Sequence, residues 1–173
     1  MSTLIEELAA RSREESKVRA VLKRSLAFDP GTYPPVFPYI EHRLKSDDGE
    51  WKRKVYYLVA GLWALHWRDR SNDTGQSLAN ACWILYWANE QSPSIERRFI
   101  TLIDADSEQL PYRLRQMVAL LKEYEVDFNN LSRDLLSWNH PDKFIQIRWA
   151  REFYNQAAEE NEETETTNKE NTQ

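Results

Sequence analysis

The chain from Ser94 to Asp106 reads Ser-Ile-Glu-Arg-Arg-Phe-Ile-Thr-Leu-Ile-Asp-Ala-Asp. Its large apolar residues recur at helical spacing and would turn one face of a helix toward a core. They are Ile95, Phe99, Leu102 and Ile103. Arg97 and Arg98 fall at the edge of that apolar face. The stretch therefore predicts an amphipathic helix that holds two adjacent positive charges at the protein surface.

The following segment repeats this arrangement. Arg113 and Arg115 fall outside an apolar face. The residues of that face, which are expected to be buried, are Leu114, Met117, Val118, Leu121 and Tyr124. Two neighbouring helices with such arginines can present one cationic surface to a polyanion.

The composition predicts an all-α fold. A chain of 173 residues with 41% hydrophobic residues can bury a substantial core. It has only four glycines, and its one Asp-Gly pair, Asp48-Gly49, lies among charged residues where no hairpin pattern flanks it. We expect two small helical bundles packed in tandem.

The order of helices follows from apolar periodicity and from helix breakers. A first helix is expected from Ser2 or Thr3 toward Leu26, and the most hydrophobic one, 50–68, is expected at the centre. A further helix spans 76–89, and Pro93 suits the first turn of the next one. Four helices are then predicted at 94–104, 107–124, 126–138 and 141–157. We therefore expect an N-terminal helical domain over residues 1–91 and a C-terminal four-helix domain over 92–157.

The net charge of −5 is concentrated at the end of the chain. Residues 158–173 contain six glutamates and one lysine, so the rest of the chain has equal numbers of acidic and basic residues. This tail is poor in apolar residues and cannot offset its ordering entropy, so we expect it to be disordered. A neutral body with clustered arginines is compatible with one basic face.

The aromatic residues form two blocks. Seven tryptophans and eight tyrosines occur, many of them in 51–67 and 83–87. Trp63 and Trp67 lie one turn apart beside Val59 and Leu62, as buried helix residues do. A core role is therefore favoured over a platform that stacks nucleic-acid bases.

Catalytic patterns are not found in the sequence. Asp104, Asp106 and Glu108 alternate as oxygen ligands of Mg²⁺ can, and this leaves a metal-dependent nuclease as an alternative function. The favoured interpretation is that Asp106 or Ser107 caps the next helix while Glu108 meets its positive end. No metal ion or other cofactor is expected.

Other residues point to an ordinary intracellular protein. The three histidines are scattered, and the single cysteine, Cys82, lies in an apolar segment. His66 is expected in the core or at its rim. No segment reaches the roughly 18 apolar residues of a membrane span, and no signal peptide is recognised, so a cytoplasmic location is expected.

Further basic residues are candidates for binding a polyanion. Lys17 and Arg24 share one side of the first predicted helix, and Lys23 adjoins them. Lys143 and Arg148 decorate the last one. Taken alone, each set is more typical of a solvated face that is partly paired with acids such as Glu15 or Glu152.

Several motifs occur in the order seen in one protein family. They are Ser-Leu-Ala-Asn-Ala from Ser77, the Ile-Glu-Arg-Arg-Phe block from Ile95 with its later Leu-Ile-x-Ala-Asp, Leu114-Arg115, and Leu-Leu-Ser-Trp from Leu135. On these motifs the chain resembles the CasB family, the small subunit of the type I-E CRISPR surveillance complex called Cascade. The resemblance covers about residues 17–154 and involves no catalytic signature.

The resemblance implies a helical, non-enzymatic subunit of an antiviral complex. Such a subunit would contact the backbone and large subunits of Cascade and a second copy of itself. It would also hold guide RNA and target DNA through basic positions, without sequence specificity, and stabilise the R-loop. An alternative is a helical scaffold that contacts proteins only.

The basic positions of the family correspond to particular residues of this chain. The resemblance assigns nucleic-acid binding to Lys23, Arg24, Arg97, Arg98 and Arg115, and more loosely to Lys143 and Arg148. Two departures occur, because Asp104 and Gln116 stand where relatives can have arginine. Arg113 and Lys122 are candidate substitutes for the missing charge. The residues singled out as nucleic-acid-binding candidates are Lys17, Lys23, Arg24, Arg97, Arg98, Arg113, Arg115, Lys143 and Arg148.

Overall fold

The computed structural model describes residues 2–68 and 75–155, and these contain helices and turns but no strand. The helices are α1 (Leu4–Glu14), α2 (Lys17–Ser25), α3 (Phe37–Ile40), α4 (Glu50–His66), α5 (Leu78–Ala88), α6 (Pro93–Ile103), α7 (Leu110–Leu120), α8 (Phe128–Leu136) and α9 (residues 144–155). Short 3₁₀ turns at Pro34–Val36 and Glu41–Arg43 flank α3. The all-α prediction is confirmed.

The first predicted helix is in fact two helices. Thr3 and Glu6 form a capping box at the start of α1, in which each side chain bonds the other residue's backbone N–H. The helix ends at Glu14, and the backbone of the next residue, Glu15, is extended. The break falls in the polar middle of the segment, where Arg13, Glu14, Glu15 and Ser16 are all exposed, so no apolar face holds a continuous helix there.

Helix α4 lies at the centre, as predicted. Its middle residues are buried nearly all round, and it packs against α2, α7 and α8. The contact with α2 is close at Gly61, because a Cβ atom there would lie 2.7 Å from the Leu26 side chain and 3.2 Å from the Leu22 carbonyl oxygen. Gly61 thus permits α2 to approach the α4 backbone.

His66 joins the end of α4 to the end of α7. Its Nε2–H donates to the carbonyl oxygens of Leu121 and Tyr124, at 3.0 and 2.7 Å. Burial lowers the pKa of His66, while the two backbone hydrogen bonds act in the opposite direction. The prediction that His66 is a satisfied core residue is confirmed.

Aromatic contacts fasten α9 to the helices before it. Phe153 stacks on Phe99 of α6, with ring centroids 4.2 Å apart. Trp149 packs edge-on against Trp138, whose indole N–H donates to the Ala105 carbonyl at 3.0 Å. The core role predicted for the tryptophan blocks is confirmed for Trp63, which is buried, and for residues packed against the core. The latter include Trp51, Trp67 and Trp83.

The buried side chains of the described ranges form one continuous core. Helix α4 contacts α7 and α8, which lie beyond the expected domain boundary near residue 91. The division into domains 1–91 and 92–157 stays a prediction. The acidic tail, 158–173, lies outside the described residues. Among the helices described, none has the length and apolar character needed to cross a membrane.

Candidate nucleic-acid interface

An open pocket of about 280 Å³ lies between α6 and α7. Three arginines line it, Arg97 and Arg98 from α6 and Arg113 from α7. The remaining lining residues are Ser94, Thr101, Gln116 and Met117. The pocket is therefore basic, with hydroxyl and amide groups between the guanidinium groups.

Local structure fixes the orientation of α6. Pro93 begins the helix, and Phe99 and Leu102 are fully buried, which turns Arg97 and Arg98 outward. The Thr101 hydroxyl donates to the Arg97 carbonyl at 2.7 Å, so its hydrogen-bond acceptor lies within the same helix. The two arginines thus project from a rigid support, as the sequence predicts.

Asp106 caps the turn that leads into α7. One of its carboxylate oxygens accepts hydrogen bonds from the backbone N–H groups of Glu108 and Gln109, at 3.0 and 2.8 Å. The prediction that Asp106 or Ser107 caps the helix itself is wrong, because α7 begins at Leu110 and its N-cap residue, Gln109, makes no side-chain cap bond. Asp106 instead caps the turn before the helix. Because this oxygen is already engaged, Asp106 holds the start of α7 in place beside α6.

The arginines of the pocket have no acidic partner within the described part of the chain. Across residues 2–68 and 75–155, no ion pair involves Arg97, Arg98 or Arg113. Glu96, next to Arg97, accepts a hydrogen bond from the Tyr154 hydroxyl of α9 at 3.0 Å. Burial raises the pKa of Tyr154 to about 12, so this hydroxyl remains a donor near neutral pH. No ion pair among the described residues offsets the charge of these arginines, so it can act on an external anion.

Arg113 carries an additional feature. Its Nε–H is buried and finds no hydrogen-bond partner within the described part of the chain. Its guanidinium carbon lies 5.6 Å from the ring centroid of Tyr112. A buried donor without an acceptor costs free energy.

Gln116 lines the same pocket. Its side-chain amide donates to the Tyr112 hydroxyl at 2.9 Å. The departure noted in the sequence therefore concerns a pocket position, where an amide stands in place of a charge. Asp104, the other departure, is exposed at the end of α6.

A second basic group lies where α7 meets the end of α2. Arg115 donates to the Leu26 carbonyl at 3.1 Å and so reaches the last turn of α2. Lys23 and Arg24 are exposed in that turn. Arg113 therefore lies beside α6, whereas Arg115 contacts the end of α2. We call the set of Lys23, Arg24 and Arg115 the α2 basic group.

The other candidates are placed apart from the pocket. Lys17 forms an ion pair with Glu15 at 3.1 Å, and the hydrogen bond to Glu15 raises its pKa. Lys143 is exposed with a positive φ of 50° just before α9. Arg148 is bonded to the carboxylates of Asp134 and Glu152. Nucleic-acid binding by these three residues stays a prediction, and the charges of Lys17 and Arg148 are already partly compensated.

Sequence reasoning did not single out Ser94 and Thr101 as part of a site. Their position gives the available signal, since Ser94 precedes Arg97 by three residues and Thr101 follows it by four. Residues so spaced share one face of a helix. Polar residues at helical spacing around an arginine pair would have predicted the lining contributed by α6.

Comparison with known proteins identifies relatives over nearly the whole chain. The family model for CRISPR-associated protein Cse2 matches residues 18–154. A CRISPR-associated protein Cse2 from Thermus thermophilus is 45% identical over 147 residues, which cover 83% of this chain and 82% of the relative.

Two solved structures show the same fold. The crystal structure of M. ruber CasB has a TM-score of 0.76 and 37% identity, covering 93% of this chain and 98% of that one. A chain from a CRISPR RNA-guided surveillance complex has a TM-score of 0.75 and 18% identity, covering 93% and 95%. The second likeness shows the fold alone.

Proposed function

Because the chain belongs to the CRISPR-associated Cse2 family, also named CasB, we propose that it is a non-catalytic small subunit of a type I-E Cascade complex. In this role it binds nucleic acid without sequence specificity through its basic helical faces. It stabilises the R-loop during antiviral defence in the cytoplasm. Its partners are the backbone and large subunits, a second copy of itself, guide RNA and target DNA.

The pocket between α6 and α7 is the observation that carries this proposal. Arg97, Arg98 and Arg113 come together there from two helices, without ion-pair partners in the described ranges. Guanidinium groups present several N–H donors in a fixed plane, which suits phosphate oxygens. Such a site reads the nucleic-acid backbone and carries no information about the base.

In RNA-guided complexes the guide RNA, and not the protein, recognises the target sequence. Base pairing between guide and target reads the sequence, so the protein needs only to hold strands in place. Arginines on rigid helices neutralise phosphates of a separated strand and release its counterions. A held strand re-anneals less readily, and the open R-loop is thereby stabilised.

The free subunit should bind weakly. Each phosphate contact on a single strand contributes a salt slope of about −0.7, so a few contacts give affinity at low salt and little at physiological salt. Within an assembled complex, neighbouring contacts raise the effective concentration and compensate for that loss.

A salt titration tests the proposal. Fluorescence anisotropy of labelled single-stranded and double-stranded DNA should show binding that falls steeply with salt and does not depend on sequence. The double charge reversal Arg97→Glu with Arg98→Glu should weaken binding at least about 10-fold, since it replaces two phosphate contacts by repulsion.

A matched control separates the pocket from net charge. Arg13 and Arg133 are exposed on α1 and α8 and do not line the pocket. Arg13→Glu with Arg133→Glu changes the net charge equally and should weaken binding much less. Equal losses in both double variants would contradict the assigned site. No binding by the wild type at low salt would favour a scaffold that contacts proteins only, and Mg²⁺-dependent cleavage would favour a nuclease.

A further inference from the structure

The aromatic side chain of Phe28, which follows the α2 basic group along the chain, is exposed to solvent. Its side chain is 47% exposed, and it stacks on Tyr33 with centroids 4.7 Å apart and an angle of 9° between the rings. Tyr33 is partly buried and packs against the core. One face of the Phe28 ring therefore packs on Tyr33, and the other face remains accessible to solvent.

The turn that joins these two rings is well defined. The Thr32 backbone N–H and hydroxyl both donate to the Asp29 carbonyl, at 3.0 and 2.7 Å. Gly31 has a φ of 86°, which favours glycine, and a Cβ there would lie 3.2 Å from the Tyr57 ring of α4. Because the turn rests on the central helix, the orientation of Phe28 is set before any ligand arrives.

Phe28 follows the basic end of α2 by about one turn of backbone. Backbone hydrogen bonds from Ala27 to Arg24 and from Phe28 to Ser25, at 3.1 and 3.0 Å, continue the turns of α2 to Phe28. Arg24 is thus about one turn from Phe28. Arg115 bonds the Leu26 carbonyl, two residues before the ring. An exposed aromatic face within a few residues of Arg24 and of the carbonyl that holds Arg115 suits a single strand, in which bases and phosphates alternate at short range.

We propose that Phe28 stacks on an unpaired base of a single-stranded nucleic acid whose neighbouring phosphates contact Arg24 and Arg115. This inference rests on the proposed function and adds a base contact to a site otherwise specific for the backbone. The contact accepts any base, because every base has a π face. It favours separated strands over duplex, in which the bases are already stacked.

Abasic DNA tests this stacking contact. Wild-type protein is titrated at low salt with a thymidine oligonucleotide and with an abasic oligonucleotide of equal length. We expect at least about five-fold tighter binding to the oligonucleotide that carries bases. Phe28→Ala should bind both equally, whereas Phe28→Trp, which keeps a stacking face, should retain the preference.

Phe144 provides the matched control, since it is 44% exposed on α9 and packs on His140. Phe144→Ala should keep the wild-type preference for bases. Equal binding of the two oligonucleotides by the wild type, or a preserved preference in Phe28→Ala, would overturn the inference while leaving salt-dependent backbone binding intact. Absence of salt-dependent binding by the wild type would instead overturn the proposed function together with this contact.

Discussion

Arginines occupy two contrasting settings in this protein. At the junction of α8 and α9, Arg148 is bonded to Asp134 and Glu152, and Asp134 also accepts the indole N–H of Trp149 at 2.8 Å. In the pocket between α6 and α7, Arg97, Arg98 and Arg113 converge on a space that no acidic side chain of the described ranges lines. The first setting supports the fold and the second leaves charge available to a ligand. The number of basic residues in a segment therefore does not tell how much of their charge a partner can use.

The start of α4 resembles the first setting. Lys52 pairs with Asp48 at 2.7 Å, Arg53 with Glu41 at 3.0 Å and Lys54 with Glu50 at 3.1 Å. These pairs lie at the surface, where ion pairs contribute little to stability. Their effect is to cancel local potential, so this basic run should attract nucleic acid much less than the pocket does.

Removal of Asp134 should have the largest effect. Asp134 is 5% exposed, and Asp134→Ala leaves the buried Trp149 N–H without an acceptor and Arg148 without its main partner. We expect a loss of about 2–3 kcal/mol in the free energy of unfolding, measured by urea denaturation. Asp142→Ala, at an exposed acid, should change it by less than about 0.5 kcal/mol. Similar stability of both variants would show that this junction does not support the fold.

A smaller loss of stability is expected on acidification, through His66. Burial lowers its pKa below the ordinary 6.5, so between these two pKa values the unfolded chain binds more protons than the folded one. The stabilising contribution is therefore present above pH 6.5 and is lost as the pH falls below it. His66→Gln does not titrate and can still donate an N–H to the end of α7. Urea denaturation over this pH range should show a weaker pH dependence for the variant, and identical pH profiles would contradict the assignment.

An acidic residue introduced into the pocket should neutralise part of its charge, as Asp134 and Glu152 do for Arg148. Gln116→Glu puts a carboxylate among Arg97, Arg98 and Arg113 and should weaken DNA binding about five-fold, with stability little changed. Gln109→Glu makes the same chemical change outside the pocket lining and serves as the control. Anisotropy at low salt measures both, and equal affinities would argue against the pocket as the binding site.

The smallest expected effect concerns the salt slope. Arg97→Ala should reduce the magnitude of the slope by about 0.7, which corresponds to one phosphate contact on a single strand. Arg148→Ala should change the slope less, because Asp134 and Glu152 already compensate part of this charge. An equal reduction in Arg148→Ala would mean that Arg148 exchanges its internal partners for phosphate.

The sequence predicted those features that depend on nearby residues. The apolar periodicity of α6 and the burial of His66 each follow from neighbours within a few positions. The end of α1 is not predicted from the sequence, although residues 13–16 are all polar. Helical spacing alone did not show that the helix would break within this segment, at the extended backbone of Glu15.

Other features depend on contacts between distant parts of the chain. The partner of Arg148 is 14 residues away, and that of Arg115 is 89 residues away. The convergence of Arg113 with Arg97 and Arg98 requires the packing of α6 on α7. These contacts depend on how helices dock, which the pattern within one helix does not specify. The stack of Phe28 on Tyr33 likewise requires the turn at Gly31.

The close approach of α2 to α4 depends on Gly61, so mutations at this glycine should affect nucleic-acid binding. A methyl group at this position would push on Leu26, whose carbonyl holds Arg115, and would thereby shift Arg24 and Phe28 relative to α7. A survey of substitutions selected for loss of nucleic-acid binding should therefore recover changes at a buried residue that touches no ligand. Spacing between two helices, and not only the identity of surface charges, would then be among the traits that selection maintains.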